Sequence, residues 1–145
     1  MLRCNVYYDY FKFPEIRYRI TKGGYGNEFL INLDYRFSKN SNIIFRYKSE
    51  KKPLDININS YVSTLKCLKN SYRLSFINNI SECYSFQGRL EYNTYNHANL
   101  FESGRIFYLD LKYHSFSKLL KLQSRIVYFN TDSYKTRVYV YENDL

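Results

Sequence analysis

The sequence predicts an all-β chain: an antiparallel up-and-down meander of about seven or eight long strands, forming a transmembrane β-barrel or part of one. Three observations carry that expectation. Apolar and polar residues alternate with a period of two over several stretches of about ten residues, short and long connections alternate between those stretches, and aromatics collect where strands meet turns. Period two places successive side chains on opposite faces, and unlike faces mean unlike surroundings.

The elements follow in order. Leu2 to Phe13 reads as a strand from its aromatic and β-branched content, without clean faces. Gly23-Gly24-Tyr25-Gly26 reads as a loop before the next strand and lacks the spacing of a phosphate-cradling motif. From Phe29 to Phe37 every odd position is apolar or aromatic, and of the even positions Leu30, Asn32, Asp34 and Arg36 three are polar. Ser38 to Asn42 punctuates as a turn. The return strand sets Ile43, Phe45 and Tyr47 against Ile44, Arg46, Lys48 and Glu50, which makes a hairpin. A second hairpin alternates Tyr72, Leu74 and Phe76 with Arg73, Ser75 and Ile77, turns over 78–83, and returns with Tyr84, Phe86, Leu90 and Tyr92 opposite Ser85, Gln87, Arg89, Glu91 and Asn93. A third sets Phe107, Leu109, Leu111 and Tyr113 against Ile106, Tyr108, Asp110 and Lys112, then returns through Leu120, Leu122, Ile126 and Tyr128 opposite Lys121, Gln123 and Arg125. Lys135 to Asn143 reads as a last, less distinct strand. No long window shows helical spacing of apolar residues.

Composition narrows the class. One domain is expected for 145 residues, and residues 1–145 read as a single β-barrel segment. Phe and Tyr make up 20% of the chain, which excludes a disordered basic tail. No apolar run approaches the ~20 residues of a helical span. A mean hydropathy of −0.53 would ordinarily point to a soluble protein, but a transmembrane barrel needs only alternate residues apolar. Cys4, Cys67 and Cys83 are an odd set without C-x-x-C spacing, so neither a disulfide framework nor a structural zinc site is expected.

Alternation alone fits a soluble barrel with its apolar face inward. Connections and strand lengths tip the balance. The links at 38–42, 78–83 and 115–118 are short, while those at about 14–27, 51–70 and 96–104 read as long or irregular, as when tight turns and extended loops occupy opposite sides of a bilayer. The spans 28–37, 84–95 and 119–130 exceed the usual globular strand of about 5–6 residues and match a tilted crossing of about 9–11. Tyr35 and Phe37, Tyr84 and Phe86, and Tyr113 and Phe116 would form an interfacial girdle.

The expected lipid-facing residues are then Phe29, Ile31, Leu33, Ile43, Phe45, Leu74, Phe76, Leu90, Phe107, Leu109, Leu111, Leu120, Leu122 and Ile126. The expected lumen-facing residues are Asp34, Arg36, Arg46, Lys48, Glu50, Arg73, Arg89, Glu91, Asp110, Lys112, Lys121 and Arg125. A central Arg or Lys facing hydrocarbon would cost about 2–4 kcal/mol, which drives this face toward water or ionic partners. It either packs as a plug of paired side chains or lines an open channel, according to the strand number.

The C-terminal run resembles a family of Bacteroidota outer-membrane proteins named for an N-terminal helix-hairpin-helix region. The family phrase F-D-T-D-S-Y, a short spacer, then R-I-Y-x-Y-E-N-D is matched by Phe129, Thr131, Asp132, Ser133, Tyr134, Arg137, Tyr139, Tyr141, Glu142, Asn143 and Asp144, with Asn130 departing from the usual Asp. Phe11-Lys12-Phe13-Pro14, Ile16-Arg17-Tyr18-Arg19 and Phe45-Arg46-Tyr47-Lys48 are similar to further pieces in the same order. The resemblance implies an outer-membrane barrel as part of a longer exported protein. This chain shows no signal peptide, lacks the helix-hairpin-helix portion and stops at Leu145 inside an expected strand, so a fragment truncated at both ends is expected, with missing strands and the lipid bilayer as partners.

Enzyme chemistry is not expected. His97 and His114 read as solvated or loop histidines, without a nucleophile or carboxylate placed to make either a general base. Asp132, Glu142 and Asp144 lack calcium-loop spacing, and Asn130 to Ser133 reads as a turn. No catalytic, cofactor-binding or metal-ligating residue is named, and no cofactor is expected. The competing class is a soluble, basic, Tyr-rich barrel that stacks single-stranded nucleic acid, given a charge of +9 and a pI near 9.4. Against it, the basic residues are dispersed among acids over several strands.

Overall fold

The computed structural model describes residues 1–16, 18, 20–58, 61–117 and 119–138. They form one antiparallel sheet of seven strands joined in sequence order: β1 (Leu2–Phe13), β2 (Gly24–Arg36), β3 (Ser41–Ile58), β4 (Tyr61–Asn79), β5 (Tyr84–His97), β6 (Leu100–His114) and β7 (Lys121–Thr131). The sheet is not closed; β1 pairs only with β2, and β7 only with β6. One 3-10 turn, η1 (Tyr134–Thr136), follows β7. Among the described residues no helix is long and apolar enough to cross a membrane, which has no bearing on crossing by strands.

Three turns gather at one end of the sheet, at residues 37–40, 80–83 and 115–120. Each meets its backbone polar groups locally. Asn40 N donates to Ser38 Oγ (3.2 Å), and the amides of Cys83 and Tyr84 both donate to Ser81 Oγ (3.2 Å each). Ser115 N donates to Leu120 O (2.9 Å). These serines act as turn-formers because the hydroxyl can reach a backbone amide two or three residues on.

The other end departs from expectation twice. The stretch 51–70 is no long link: β3 runs on to Ile58 and β4 starts at Tyr61, so the pair projects as an arm past the end of β5, where His97 meets Cys67. Pro53 sits in that arm just beyond the last β2–β3 pair, Asn27 with Lys51, where a missing amide donor is tolerated. Likewise 96–104 is not irregular. β5 and β6 are joined across Ala98 and Asn99 alone, with Ala98 in the left-handed region at φ 57°. A two-residue hairpin needs positive φ at its first central position, and glycine usually supplies it.

The β1–β2 connection is the one extended link, at residues 14–23, and Gly24 to Gly26 belong to β2 rather than to a loop. Gly26 is buried because the Phe11 ring lies where a Cβ would point, 2.2 Å from its nearest carbon. Asp55 of the arm holds the link down: Thr21 N donates to its Oδ2 (2.8 Å) and Thr64 Oγ1 to its Oδ1 (2.6 Å).

Ala98→Gly should raise the midpoint of thermal unfolding, worth about 0.5–1 kcal/mol, because it removes the Cβ penalty of a left-handed residue. Asp55→Ala should speed hydrogen exchange at the Thr21 amide about fivefold or more, reflecting the loss of about 1 kcal/mol of hydrogen bonding.

Candidate functional site

Register sorts the side chains into two faces. Asp34 lies opposite Ile44, Arg46 opposite Arg73, Arg73 opposite Glu91, and Asp110 opposite Arg125. Cross-strand partners share a face and residues two apart in a strand share it too. All twelve charged candidates, Asp34, Arg36, Arg46, Lys48, Glu50, Arg73, Arg89, Glu91, Asp110, Lys112, Lys121 and Arg125, therefore fall on one face. Of the fourteen apolar candidates, thirteen fall on the other, and Leu120 lies in the turn before β7.

The polar face is the covered one. Asp110 is 1% exposed and Glu91 6%, whereas Leu90 is 52% and Ile126 60% exposed. Carboxylates can be buried here because each meets guanidinium groups. Arg125 grips Asp110 bidentately, Nε to Oδ1 at 2.5 Å and Nη2 to Oδ2 at 2.6 Å. Glu91 Oε2 accepts from Arg73 Nε (2.7 Å) and from Arg89. Tyr108 lies between the two clusters, with the guanidinium carbons of Arg89 and Arg125 at 5.8 and 5.1 Å from its ring centroid and Gln87 Nε2 donating to its hydroxyl (3.3 Å). Nearer the hairpin tips, Lys48 pairs with Glu28 and Lys52 with Glu50, each at 2.8 Å.

The chain after β7 turns onto this same face. Asp132 Oδ2 accepts from Ser103 N (2.7 Å) and Oγ (3.1 Å), Ser133 Oγ donates to Glu102 Oε2 (2.5 Å) and accepts from Lys135 N (3.1 Å), and Thr136 Oγ1 reaches the carbonyls of Ser103 and Ser133 (3.1 Å each). Thr136 is fully buried against Gly104, where an added Cβ would stand 2.3 Å from the Thr136 carbonyl oxygen. The segment thus crosses the sheet as a strap. Lys135 Nζ sits 4.9 Å from the Tyr95 ring centroid, and Arg137 and Val138 line a cavity with residues of β3, β4 and β5. The expected strand from Lys135 is replaced, over its described part, by η1 and the strap, because Asp132 ties the chain back to Ser103 and Ser133 caps η1; residues 139–145 lie outside the described residues. That turn takes up the most specific stretch of the resemblance motif.

On the opposite face the bulky residues form a band oblique to the strands. It runs from Phe29 to Tyr35 on β2. Phe29 pairs with Ser49, so on β3 the band stops one step sooner, at Tyr47; Tyr92 pairs with Arg105, so on β6 it stops at Phe107. Toward the turns it ends at Ile43 and Phe76 on β3 and β4 but extends further, to Tyr84, Tyr113 and Leu122, on the last three strands. Tyrosines mark both borders. Tyr47, Tyr72 and Tyr92 form a row, with ring centroids 4.9 and 6.4 Å apart, and Tyr84 meets Tyr113 at 4.8 Å on the turn side. The tip-side row escaped the sequence analysis because its members lie on three strands of two hairpins and align only once register is known.

The cysteines are free, and Cys67 and Cys83 are buried. His97 is also buried, contrary to the solvated or loop reading. It faces Cys67 across the β4–β5 ladder, packs edge-on to Tyr95 and places Nε2 3.2 Å from the Leu54 carbonyl. Cys67 and His97 do not make a nucleophile pair, because burial pushes the Cys67 thiol up and the imidazole is engaged elsewhere. His114 ends β6, its amide donating to Cys83 O (2.8 Å), and Asp110 is committed to Arg125. Among the described residues no group of His, Cys, Asp and Glu could hold a metal ion. Compared with protein-family models, curated proteins and solved structures, the chain matches none.

Asp110→Asn keeps the shape of the side chain but strands the Arg125 guanidinium, and should cost about 3 kcal/mol in unfolding free energy; adding Arg125→Met should recover part of that loss. Gly104→Ala should push the strap off the sheet, read as faster tryptic cleavage after Arg137 in the folded protein.

Proposed function

We propose that this chain is a wall segment of a transmembrane β-barrel in a bacterial outer membrane, of the kind the Bacteroidota resemblance implies, acting as an anchor or passive pore without catalytic chemistry. The observation that carries the reading is the exposed apolar band bordered on both sides by tyrosine. Aliphatic residues and Phe face outward between two aromatic rows, with no second layer over them. In water such a face would be a liability; in a bilayer it is the expected outer surface, with rings at the headgroup level.

Its slant supports the same reading. Strands of a barrel tilt by about 35–45°, so a slab of hydrocarbon cuts each successive strand at a shifted height. The seven to nine residues from Phe29 to Tyr35 and from Tyr84 to Tyr92 cover about 20–30 Å along the strand, or roughly 20 Å of depth after tilt, near the apolar height of such barrels. The polar face then looks into the lumen, where ion pairs and the strap fill the space.

The open edges also bear on it. Backbone groups left unpaired in hydrocarbon cost several kcal/mol each, so β1 and β7 require partners. With seven strands, β1 and β7 run in the same direction. An odd number of added strands, one at the least, restores alternation and the even count of bacterial barrels. Nucleic-acid stacking is disfavoured, since such sites expose aromatic rings beside cations, whereas Tyr95 and Tyr108, which lie beside cations on the polar face, are buried.

The test is a pair of spin labels, Leu33→Cys and Asp34→Cys, in chain reconstituted into liposomes. The label at 33 should be relaxed by oxygen and the label at 34 by a water-soluble nickel chelate. The reverse pattern would overturn the reading. Native Cys4, exposed on the apolar face, supplies a second probe: in liposomes it should react with a lipophilic maleimide at least about tenfold faster than with a charged one.

A further inference from the structure

Cations crowd one part of the polar face beyond what its carboxylates can answer. Arg46 and Arg73 stand directly opposite each other on β3 and β4, a like-charge pairing that is destabilising unless something neutralises it. Glu91, opposite Arg73, already serves Arg73 and Arg89 together. Lys48 and Lys52 take Glu28 and Glu50, while Arg46 and Lys69 make no ion pair among the described residues. Between these strands and the strap lies a cavity of about 440 Å³, where the cations Lys48, Lys69, Arg73, Arg89 and Arg137 outnumber the carboxylates Glu50 and Glu91 and Asn93 completes the polar lining.

A second observation narrows the occupant. Asn93 is 4% exposed, lines that cavity, and its Oδ1 has no hydrogen-bond partner. A buried acceptor left without a donor costs about 1–3 kcal/mol, so a ligand bringing a donor gains that much. Sulfate has cations to meet here but no hydrogen to give, whereas hydrogen phosphate offers both oxyanion charge and an O–H. Guanidinium groups suit such an anion through paired N–H bonds.

We propose that this cavity binds phosphate in its hydrogen-bearing form, held by Lys69 and Arg73 with Asn93 accepting the O–H. The cavity lies on the face away from the apolar band, so the ligand is a dissolved phosphate and not a lipid headgroup.

The test is calorimetric titration of the folded full chain with inorganic phosphate at constant ionic strength, beside melting curves in phosphate-free buffer. Saturable single-site binding is expected, weakened about tenfold or more in Lys69→Gln and in Asn93→Ala, with the melting curves showing that both variants remain folded. Sulfate should bind about tenfold more weakly than phosphate. Absence of saturable binding, or unchanged binding in both variants, overturns the site. Equal binding of sulfate overturns the choice of ligand, and equal competition by phosphatidylglycerol micelles overturns the dissolved source. The titration reads the polar face whether the other face meets lipid, detergent or water, so its failure is separate from failure of the spin-label experiment.

Discussion

The structure depends on one constraint, the two-residue period of an extended chain applied to a sheet only one layer thick. Every residue must face one way or the other, and among the described residues no second sheet or α-helix covers either face. A layered protein hides its apolar surface between elements. Here the covering falls instead on the charged side, where carboxylates buried almost completely are held by guanidinium groups from neighbouring strands. Removing such ions from water is expensive, and only close, multiply bonded partners offset the cost. The bidentate Asp110–Arg125 contact and the Arg73–Glu91–Arg89 cluster are what that requirement looks like in detail.

The strap works under the same constraint. A chain segment laid over a polar face needs its own backbone groups met, and Asp132, Ser133 and Thr136 meet them from both sides of the turn. Gly104 completes the fit by leaving out a side chain where the strap comes closest. Tyr95 and His97, which are buried near one end of a strand, owe their cover in part to the arm and the strap rather than to a conventional core.

Much of this architecture was legible in the sequence, and the reason is physical: alternation is a local property, readable at Phe29 to Phe37 or at Tyr84 to Asn93 without knowing any contact. The twelve charged and thirteen of the fourteen apolar candidates sort by parity alone. What escaped was whatever lacked a local mark. Ala98 makes a tight hairpin without the glycine that would announce one, so 96–104 read as irregular. The stretch 51–70 read as a long or irregular link, yet Pro53 stands just past the last β2–β3 pair, where the strand can run on without its amide. His97 looked exposed because nothing in its neighbours foretells an arm from β3 and β4 standing over it. The row Tyr47, Tyr72 and Tyr92 spans three strands and emerges only from register, as does the confrontation of Arg46 with Arg73.

The parity of the strand count sets a sidedness. β1 departs from the end where the three tight turns lie, while β7 finishes at the opposite end, beside the β5–β6 hairpin tip. In a bilayer the two rims of the wall would therefore meet different compartments, and on the barrel reading proposed above the strap would enter the bore at the rim from which the β3–β4 arm projects, standing there as a stopper.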